Sequence, residues 1–375
     1  MMRWAGILSL LVVAAGCAQE VEPTPTEDAS VPGTKEEAAQ ATQEGKADFS
    51  FDLCQRKGWY GDGACDWFCP MRDPDCDAAP LGPEPQGEAT RFPIVLAHGF
   101  DASPTNRWGW FGVAEALAAD GHEVYVATVP PYNSPEVRAG FLADEVDTAL
   151  EFFGAEKVNI IAHSIGGLDG RFLISSMGYG DRIASLTTIS SPHKGSAVAD
   201  VGLKLVPGAA EAALNALARA WGRSFSDAGD EADLFAALEA LAEANAPAFN
   251  AENPDDERVY YQSWAGVSSV LGLRNDKDRV ACEGMMLENP KASADKMDAT
   301  LIPMAAFVAH GTALLPNDGL STVESARHGK FRGCFPADHL DEVGQVKDVG
   351  ADPHTGFDHV RFYRNVAFEL TALGF

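Results

Sequence analysis

Basic residues, internal repeats and long apolar runs are scarce or absent in the sequence. Each of these absences excludes a class of protein. Lys and Arg number 28 against 55 Asp and Glu, which gives a formal net charge of −27. A chain this acidic is not expected to bind a nucleic-acid backbone or to be drawn by charge to an anionic membrane. There is no internal repeat, which excludes a repeat architecture. The apolar run at residues 7–15 is too short to cross a bilayer as a helix.

What is present is enough apolar material for a large core. Hydrophobic residues make up 46% of the 375 residues, so one large α/β domain with accessory segments is expected. The excess of carboxylates is compatible with calcium, which prefers oxygen ligands, although acidity alone mainly confers solubility.

The N-terminus indicates export. Arg3 precedes the apolar run, and small residues lead to Cys17, as in a secretory signal. Val13-Ala-Ala-Gly-Cys17 resembles the bacterial lipoprotein cleavage box. We therefore predict a signal peptide at 1–16, lipidation of Cys17 and anchoring to the outer membrane or cell surface. Cleavage of a plain secretion signal nearby, giving a secreted protein, is the alternative.

Three further segments separate Cys17 from the main domain. Residues 17–50 hold few large apolar residues and are predicted to be a disordered acidic linker. Residues 51–77 form a small Cys-rich module, and residues 78–89 are a Pro/Gly linker. Four cysteines in so short a span predict two disulfides, with three connectivities open. These cysteines are Cys54, Cys65, Cys69 and Cys76.

Metal binding by the Cys-rich module is a weaker hypothesis. Zinc is disfavoured because the spacing is not Cys-x2-Cys and an exported protein meets oxidising conditions. Calcium stays open there, because four aspartates crowd the same segment, namely Asp62, Asp66, Asp73 and Asp75. We interpret the module as a small binding or spacer unit.

Residues 90–375 alternate strand-like and helix-like segments. Short apolar runs predict strands, and apolar residues at helical spacing predict helices. The predicted strands are 92–97, 124–129, 158–161 and 186–190, and the predicted helices are 113–119 and 141–153. This alternation predicts an α/β fold, with a mainly parallel sheet covered by helices on both faces.

The segment 158–167 carries the most informative chemistry. A β-branched run leads into Ala162-His-Ser-Ile-Gly-Gly167, and helix-compatible residues follow. This predicts a strand, a sharp turn with Ser164 at its apex, and a helix, which is how a nucleophilic serine is presented. Close packing of the turn needs small residues at its flanks, and Ala162 replaces the usual first glycine. The motif indicates a serine hydrolase; an ordinary strand-to-helix turn is the alternative.

A nucleophilic serine in such a fold needs a carboxylate and then a histidine further along the chain. Asp318 lies in an Asn-Asp-Gly turn after a long hydrophobic stretch, and we expect it at the C-terminal end of a strand. His328 and His339 both follow it, and spacing alone hardly separates them. The backbone N–H groups of Phe100 and Ile165 are the expected oxyanion donors.

Residues 196–255 interrupt the alternation of strands and helices. The segment is alanine-rich, with apolar residues at three- and four-residue steps: Leu214, Leu217, Trp221, Phe225, Leu234, Phe235, Leu238 and Leu241. We interpret it as a helical lid that covers the active site in water and turns toward lipid at an interface. Two helices packed permanently on the core are the alternative.

From residue 92 to its end, the chain resembles the foldase-dependent bacterial triacylglycerol lipases of the Pseudomonas and Burkholderia type. The matching segments are Pro93-Ile-Val-Leu-Ala-His-Gly99, Ala162-His-Ser-Ile-Gly-Gly167, Ser191-Pro-His-Lys-Gly-Ser196, Tyr261-Gln-Ser-Trp264, Asn317-Asp-Gly-Leu320 and His339-Leu-Asp-Glu-Val-Gly-Gln345. The first two occur in many α/β hydrolases, whereas the third and the last are far more specific.

The resemblance implies an α/β-hydrolase fold and the hydrolysis of lipid esters through an acyl-enzyme. It implies a triad of Ser164, Asp318 and His339, which favours His339 over His328. Many close relatives use a dedicated foldase chaperone, so a lipase-specific foldase is a candidate partner, and whether this chain needs one stays open. An esterase or phospholipase with a different pocket, or a surface-binding lipoprotein with a vestigial hydrolase domain, are the alternatives.

The resemblance also implies a structural Ca²⁺ ion. Its ligands would be the carboxylates of Asp298 and Asp341 and oxygens of Gln345 and Val349. Oxygen ligands on either side of His339 suit a hard cation that fixes the loop carrying the base. Without the resemblance, the two aspartates would be interpreted as solvated surface acids.

One disulfide of the family is altered in this sequence. Glu324 stands near the place of the family's cysteine beside the Asp-Gly-Leu segment. Cys282 and Cys334 remain as an even pair in an exported chain, and we predict a disulfide between them that pins the same region.

Overall fold

The computed structural model describes residues 31–43, 51–60, 62, 66, 68–71, 73, 80–100, 109–205, 231–273, 275–288, 294–345 and 350–375. The strands are β1 (Ile94–Ala97), β2 (Val124–Val126), β3 (Val158–His163), β4 (Ile183–Ile189), β5 (Tyr260–Gly266) and β6 (Lys330–Phe335). The helices are α1 (Lys35–Gln43), α2 (Leu53–Lys57), α3 (Val113–Ala119), α4 (Pro135–Phe153), α5 (Gly166–Ser175), α6 (Ala197–Leu205), α7 (Leu234–Leu241), α8 (Ala246–Glu252), α9 (Asp276–Ala281), α10 (Ile302–Val308), α11 (Val323–Ala326) and α12 (His359–Ala372).

The six strands form one parallel sheet in the order β2-β1-β3-β4-β5-β6. Every residue of β1, β3 and β4 is buried, as expected of parallel strands that are covered on both faces. The α/β prediction is therefore confirmed. All strands end at the same edge, where functional residues of such sheets gather.

Two layers of helices enclose the sheet, because successive residues of a strand point to opposite faces. Val95 and Ile160 belong to the core that the sheet forms with α4 and α5. Leu96 and Ile161 belong to the core on the other face, formed with α3 and α12. The sheet thus lies between two apolar layers that hold its carboxyl-terminal edge in place.

One strand prediction is too long and another is wrong. The second predicted strand, 124–129, is present as β2 but ends at Val126, and further along the chain the backbone N–H of Val129 donates to His98 Nε2 at 3.2 Å instead of continuing the ladder. The apolar stretch before Asp318 is not a strand but α10 and a short 3₁₀ helix, Gly311–Ala313.

The predicted insert is helical where the structure describes it. Helices α6, α7 and α8 lie in its described parts, and α6 packs on α7. Residues 206–230, with four of the apolar positions used in the prediction, lie outside the described residues. Among the described helices, none is long and apolar enough to span a bilayer.

The Cys-rich module is described in part. Cys54 is bonded to Cys69, which confirms one of the two predicted disulfides and identifies the partner of Cys54. Cys65, Cys76 and the lipidation site Cys17 lie outside the described residues. The Lys35 ammonium lies 2.7 Å from Asp62 and 2.6 Å from Asp66. Calcium binding by this module stays a prediction.

Candidate active site

A cavity of about 700 Å³ opens at the carboxyl-terminal edge of the sheet. Ser164 and His339 both line it, and so do Gly99 and Phe100. The rest of the wall is largely apolar and comes from α6, α7 and the segments around residues 301, 320 and 340, with side chains that include Val198, Ala199, Leu238, Leu241, Leu301, Leu320 and Leu340. The cavity therefore combines one polar end with a wall suited to an apolar ligand.

Ser164 sits on a strained turn between β3 and α5. Its φ of +56° lies in the left-handed region that non-glycine residues rarely adopt. A Cβ at Gly166 would come within 2.7 Å of the His98 carbonyl oxygen, and one at Gly99 within 2.9 Å of the Ser164 Cβ. Only glycine permits these approaches, so the small residues of the motif bring the end of β1 against the serine.

His339 and Asp318 form a buried hydrogen-bonded pair. His339 Nδ1 lies 2.8 Å from Asp318 Oδ2, and the His339 backbone N–H donates to the Asp318 carbonyl at 2.9 Å. Backbone N–H groups of Leu320 and Ser321 donate to the other carboxylate oxygen at 2.8 and 2.6 Å. Although burial opposes ionisation, the His339 charge and these donors hold the pKa of Asp318 below its usual range.

His328, the other histidine that spacing allowed as the base, lies outside the active-site cavity. His328 Nε2 contacts Asp255 Oδ1 at 2.9 Å, and its ring stacks on His193. It does not line the cavity. Of the two histidines, the structure brings only His339 to the cavity that Ser164 lines.

Glu342 is a second buried carboxyl beside His339, and sequence reasoning missed it. Its Oε2 lies 2.9 Å from His163 Nε2 and 3.9 Å from His339 Nδ1, and its Oε1 accepts from Ser190 Oγ at 2.6 Å. Burial, and then the Asp318 charge, raise the pKa of Glu342 well above its usual range. Burial, and then His339, lower the pKa of His163 well below its usual range. Asp318 is therefore the acid whose ionised form is favoured beside His339, whereas the neutral forms of Glu342 and His163 are favoured.

The expected oxyanion donors lie on either side of Ser164. Ile165 directly precedes α5, where the first backbone N–H groups of a helix have no partner within the helix. Phe100 is held by its carbonyl, which accepts from the Tyr132 N–H at 3.1 Å, and by an edge-to-face ring contact with Tyr132. Phe100 lines the cavity, and Ile165 directly follows Ser164, which also lines it; their role as oxyanion donors stays a prediction.

A buried arginine fixes the segment that leads to Phe100. Arg138, on α4, is fully buried; its Nη2 donates to the carbonyls of His98 and Gly99 at 3.0 and 3.2 Å, and its Nη1 donates to that of Pro130 at 2.6 Å. Its Nε pairs with Asp169 of α5 at 2.8 Å. Arg138 therefore ties the end of β1 to the helix that begins at the serine turn.

His98 adds a second tie in the same place. Because its Nε2 accepts from the Val129 N–H, the ring proton is on Nδ1, which donates to the Gly99 carbonyl at 2.9 Å. Burial, and then the Arg138 charge, lower the pKa of His98 to about 3. The ring is therefore neutral at every ordinary pH and acts as a fixed link.

Three carboxylates form a buried group next to the His339 loop. Asp295, Asp338 and Asp341 each offer an oxygen, and these oxygens lie within 4.8 Å of one another. A buried group of three oxygen donors of this charge suits a hard divalent cation such as calcium. Of these residues, sequence reasoning named Asp341 only.

The other expected calcium ligands are placed differently. Asp298 donates its backbone N–H to Asp338 Oδ2 at 2.6 Å, but its own carboxylate accepts from the N–H and hydroxyl of Thr300. Gln345 lines the active-site cavity, and Val349 lies outside the described residues.

A disulfide closes the same part of the molecule. Cys282 is bonded to Cys334 with a Cα–Cα distance of 5.6 Å, as predicted. Both cysteines are fully buried, in a small core with Val323 and Ala326 of α11. Val323 follows Asp318 by five residues, so this core anchors the chain directly after the acid.

The signals for the missed residues were weak. Arg138 lies in a helix whose other charged residues are at least partly exposed, Asp169 lies in a helix that also contains Arg171, and Glu342 follows Asp341 in a run of acids. Nothing local separates such charges from surface ones. Arg138 and Asp169 are 31 residues apart, so the ion pair is visible only once the chain is folded.

Comparison with known proteins shows which fold and which relatives this chain is similar to. A family model described as the α/β hydrolase fold matches residues 93–228. A metagenomic carboxyl esterase superposes with a TM-score of 0.58 at 16% identity, covering 89% of this chain and 91% of the esterase, which supports the fold alone. A triacylglycerol lipase of Burkholderia plantarii is 28% identical over 305 residues, or 70% of this chain and 81% of the relative.

A triacylglycerol lipase of Vibrio cholerae is 30% identical over 308 residues, which cover 76% of this chain and 89% of the relative. The chain therefore belongs to the bacterial lipases of the α/β-hydrolase superfamily.

Proposed function

We propose that this lipase hydrolyses triacylglycerols with Ser164, His339 and Asp318 as its catalytic triad. The observation that carries the proposal is that Ser164 and the His339–Asp318 pair meet in one cavity with an apolar wall. Its volume of about 700 Å³ lies within the range of sites that enclose most of a small ligand. The names of the curated relatives point to the same substrate.

The geometry assigns a role to each group. With Nδ1 held by ionised Asp318, His339 keeps Nε2 for the serine proton. Ser164 attacks the ester carbonyl while His339 takes its proton, and the backbone N–H groups of Phe100 and Ile165 stabilise the oxyanion. His339 then protonates the leaving alcohol. Water activated by the same histidine releases the fatty acid from Ser164.

Ser164→Ala tests the proposal. We expect it to abolish hydrolysis of emulsified triolein and of soluble p-nitrophenyl butyrate, with the thermal unfolding transition unchanged. Appreciable activity of this variant on both substrates would rule out Ser164 as the nucleophile. An active parent that cleaves the butyrate but not triolein would retain the triad and refute the long-chain substrate.

We further propose that Asp295, Asp338 and Asp341 hold a structural Ca²⁺ ion, with Asp298 and Gln345 contributing as the family resemblance implies. A bound cation would neutralise the buried carboxylates and fix the loop that carries His339. At 100 times its dissociation constant, a ligand that binds only the folded state stabilises it by about 2.7 kcal/mol.

Chelation tests the calcium site without measuring activity. EDTA should lower the unfolding temperature, and excess CaCl₂ should restore it. Asp341→Asn should unfold at the lower temperature and respond little to either reagent. Equal responses in parent and variant would place the ion elsewhere, and no response in either would refute the site.

We also propose that the protein is exported and lipidated at Cys17, that residues 196–255 act as a lid, and that a foldase assists folding. The support for lipidation is the sequence around Cys17, and the support for the lid is that α6 and α7 line the cavity. Cys17→Ser should release the protein from the membrane fraction of expressing cells. A variant that stays in that fraction would argue against the anchor.

A further inference from the structure

Two histidines and a glutamate form a compact group beside Ser164. A ring nitrogen of His163, a ring nitrogen of His339 and a carboxylate oxygen of Glu342 lie within 4.8 Å of one another, and all three side chains are buried. Glu342 Oε2 lies 2.9 Å from His163 Nε2 and 3.9 Å from His339 Nδ1. The centroids of the two imidazole rings are 4.5 Å apart. Three side chains of types that bind metal ions therefore converge on one place.

The Glu342 carboxyl is held so that one of its oxygens faces the histidines. Its Oε1 accepts from the Ser190 hydroxyl at 2.6 Å, and Ser190 Oγ accepts in turn from the Gly266 N–H at 2.9 Å. A Cβ at residue 266 would overlap Glu342 Oε1 and come within 2.7 Å of the Ala337 carbonyl oxygen. Glycine at this position thus leaves room for the buried carboxyl, and Oε2 is the oxygen that remains for the histidines.

Two imidazoles and one carboxylate are a ligand set that suits zinc. Zinc sites with an open fourth position hold the metal by three protein ligands, and two histidines with one glutamate are such a set. Zinc bonds of about 2.0–2.2 Å in a tetrahedral site place neighbouring ligand atoms about 3.3 Å apart. The distances of 2.9 and 3.9 Å lie on either side of that value, so small rotations of the side chains would suffice. Calcium fits less well, because it prefers oxygen ligands.

The active-site cavity gives access to this group. His163 and His339 both line the cavity, whereas Glu342 is fully buried and does not. A metal ion that enters the cavity would therefore meet the two imidazoles first. Charge favours its entry, because the protein carries a net charge of −27 and the Asp318 carboxylate lies 2.8 Å from His339 Nδ1.

From this geometry we infer that His163, His339 and Glu342 form an inhibitory site for a divalent transition metal, and that zinc is the ion that fits it best. The inhibitory effect rests on the proposed function, because it requires His339 to be the base. A metal bound at Nδ1 leaves the ring proton of His339 on Nε2, so the ring can no longer accept the serine proton. The proton between Glu342 and His163 is displaced to water. Zinc in this site therefore stops catalysis without filling the apolar part of the cavity.

The test measures zinc binding and activity separately, with excess CaCl₂ present to fill the proposed calcium site. Calorimetric titration with ZnCl₂ should detect binding by the parent and by Ser164→Ala. As zinc binds the parent, kcat on soluble p-nitrophenyl butyrate should fall while KM changes less than about twofold. Glu342→Gln and His163→Gln should each weaken binding and inhibition at least about tenfold, since loss of even an outer-shell partner costs about 10–100-fold in metal affinity. Inhibition is expressed relative to each variant's own activity without zinc.

His310→Gln is the matched control. His310 Nε2 lies 2.9 Å from Glu243 Oε1, the same separation as in the pair of His163 and Glu342, but both side chains are exposed. Among the residues that the structure describes, no third metal-binding side chain completes a group at this pair. The control should bind zinc and be inhibited as the parent is. An equal loss in the control would place the ion at the surface and overturn the inference.

Three further outcomes would contradict the inference: no zinc binding by the parent, parent-like inhibition of both Glu342→Gln and His163→Gln, or zinc bound at the three residues without a loss of kcat. Thermal unfolding shows whether the two variants are folded, and either one that folds is enough for the test. Failure of the proposed function shows separately, as Ser164→Ala that still cleaves the soluble ester.

Discussion

Two segments approach Ser164 from different sides and are held by different means. The oxyanion side, residues 98–100, continues β1, an interior strand of the sheet, and is fixed by the hydrogen bonds of the buried Arg138. The acid–base side, residues 317–342, contains the edge strand β6, and a disulfide and a group of carboxylates add to its support. An interior strand and a buried ion pair thus position the oxyanion donors, whereas an edge strand reinforced by local cross-links positions the acid and the base.

The largest expected effect is a loss of kcat on the acid–base side, when Asp318 is replaced. Asp318→Asn should lower kcat about 10⁴-fold, as the corresponding change does in a serine protease triad, because the amide selects the wrong tautomer of His339. Glu342→Gln, the matched change of the neighbouring neutral carboxyl, should cost far less, because it removes no charge that faces His339. Pre-steady-state and steady-state hydrolysis of p-nitrophenyl butyrate measures both.

An effect of Glu342→Gln as large as that of Asp318→Asn would mean that the two acids share the role or that their assignment is reversed. Thermal unfolding of both variants controls for a general loss of structure.

On the oxyanion side, replacing Arg138 is expected to act mainly by lowering the free energy of unfolding. Arg138→Met leaves the Asp169 carboxylate buried without its ion partner, and breaking such a pair costs about 3–5 kcal/mol. The remaining folded protein should lose up to about 10²-fold in kcat, because the carbonyls of His98 and Gly99 are no longer held. Denaturant unfolding and ester hydrolysis measure the two effects.

Two further variants separate the effect of Arg138 on stability from its effect on kcat. Arg364→Met breaks the part-exposed pair with Asp120 and should cost at most about 1 kcal/mol. Arg138→Met/Asp169→Leu removes the orphaned charge and should regain stability without regaining kcat. If kcat returns together with stability, Arg138 is a structural residue and does not position the oxyanion side.

The two sides also differ in how far the sequence predicts them. The serine turn, the first strand and the α/β class depend on local patterns, so motif and periodicity were sufficient. His339 could not be separated from His328 by spacing, because what distinguishes them is the three-dimensional position of a loop. The segment before Asp318 was mistaken for a strand because α10 has an uncharged outer side as well as an apolar inner one.

Cross-links are predictable only in part. Cys282 and Cys334 could be paired because they are the two cysteines of the sequence that follow the Cys-rich module. Asp295 and Asp338 could not be separated from a surplus of surface acids, since their burial follows from the packing of two distant segments. A residue type that is rare is therefore informative in the sequence, and one that is abundant is not.

The disulfide is the next largest support of the acid–base side. In the chain-entropy model, a bond between cysteines 52 residues apart stabilises the folded state by about 4 kcal/mol. Cys282→Ser/Cys334→Ser should lose about 2–4 kcal/mol in denaturant unfolding. Cys54→Ser/Cys69→Ser, in the separate module, should leave the unfolding of the main domain unchanged; an equal loss would show that the module belongs to the same folding unit.

The smallest effect concerns a helix cap on the acid–base side. Thr322 Oγ1 accepts from the Ser325 N–H at 3.0 Å at the start of α11, so Thr322→Ala should cost about 1 kcal/mol. Asp358 caps α12 in the same way, and Asp358→Ala should cost a similar amount. The two caps differ in their surroundings, because Val323 and Ala326 of α11 share a core with the cysteine pair.

That difference predicts which cap is coupled to the disulfide. In a double-mutant cycle with Cys282→Ser/Cys334→Ser, Thr322→Ala should show a coupling free energy above about 0.5 kcal/mol, since both changes loosen one small core. Asp358→Ala should be additive with the cysteine change. Equal coupling for both caps would mean that the acid–base side is held by the domain as a whole, as the oxyanion side is, and not by its own local cross-link.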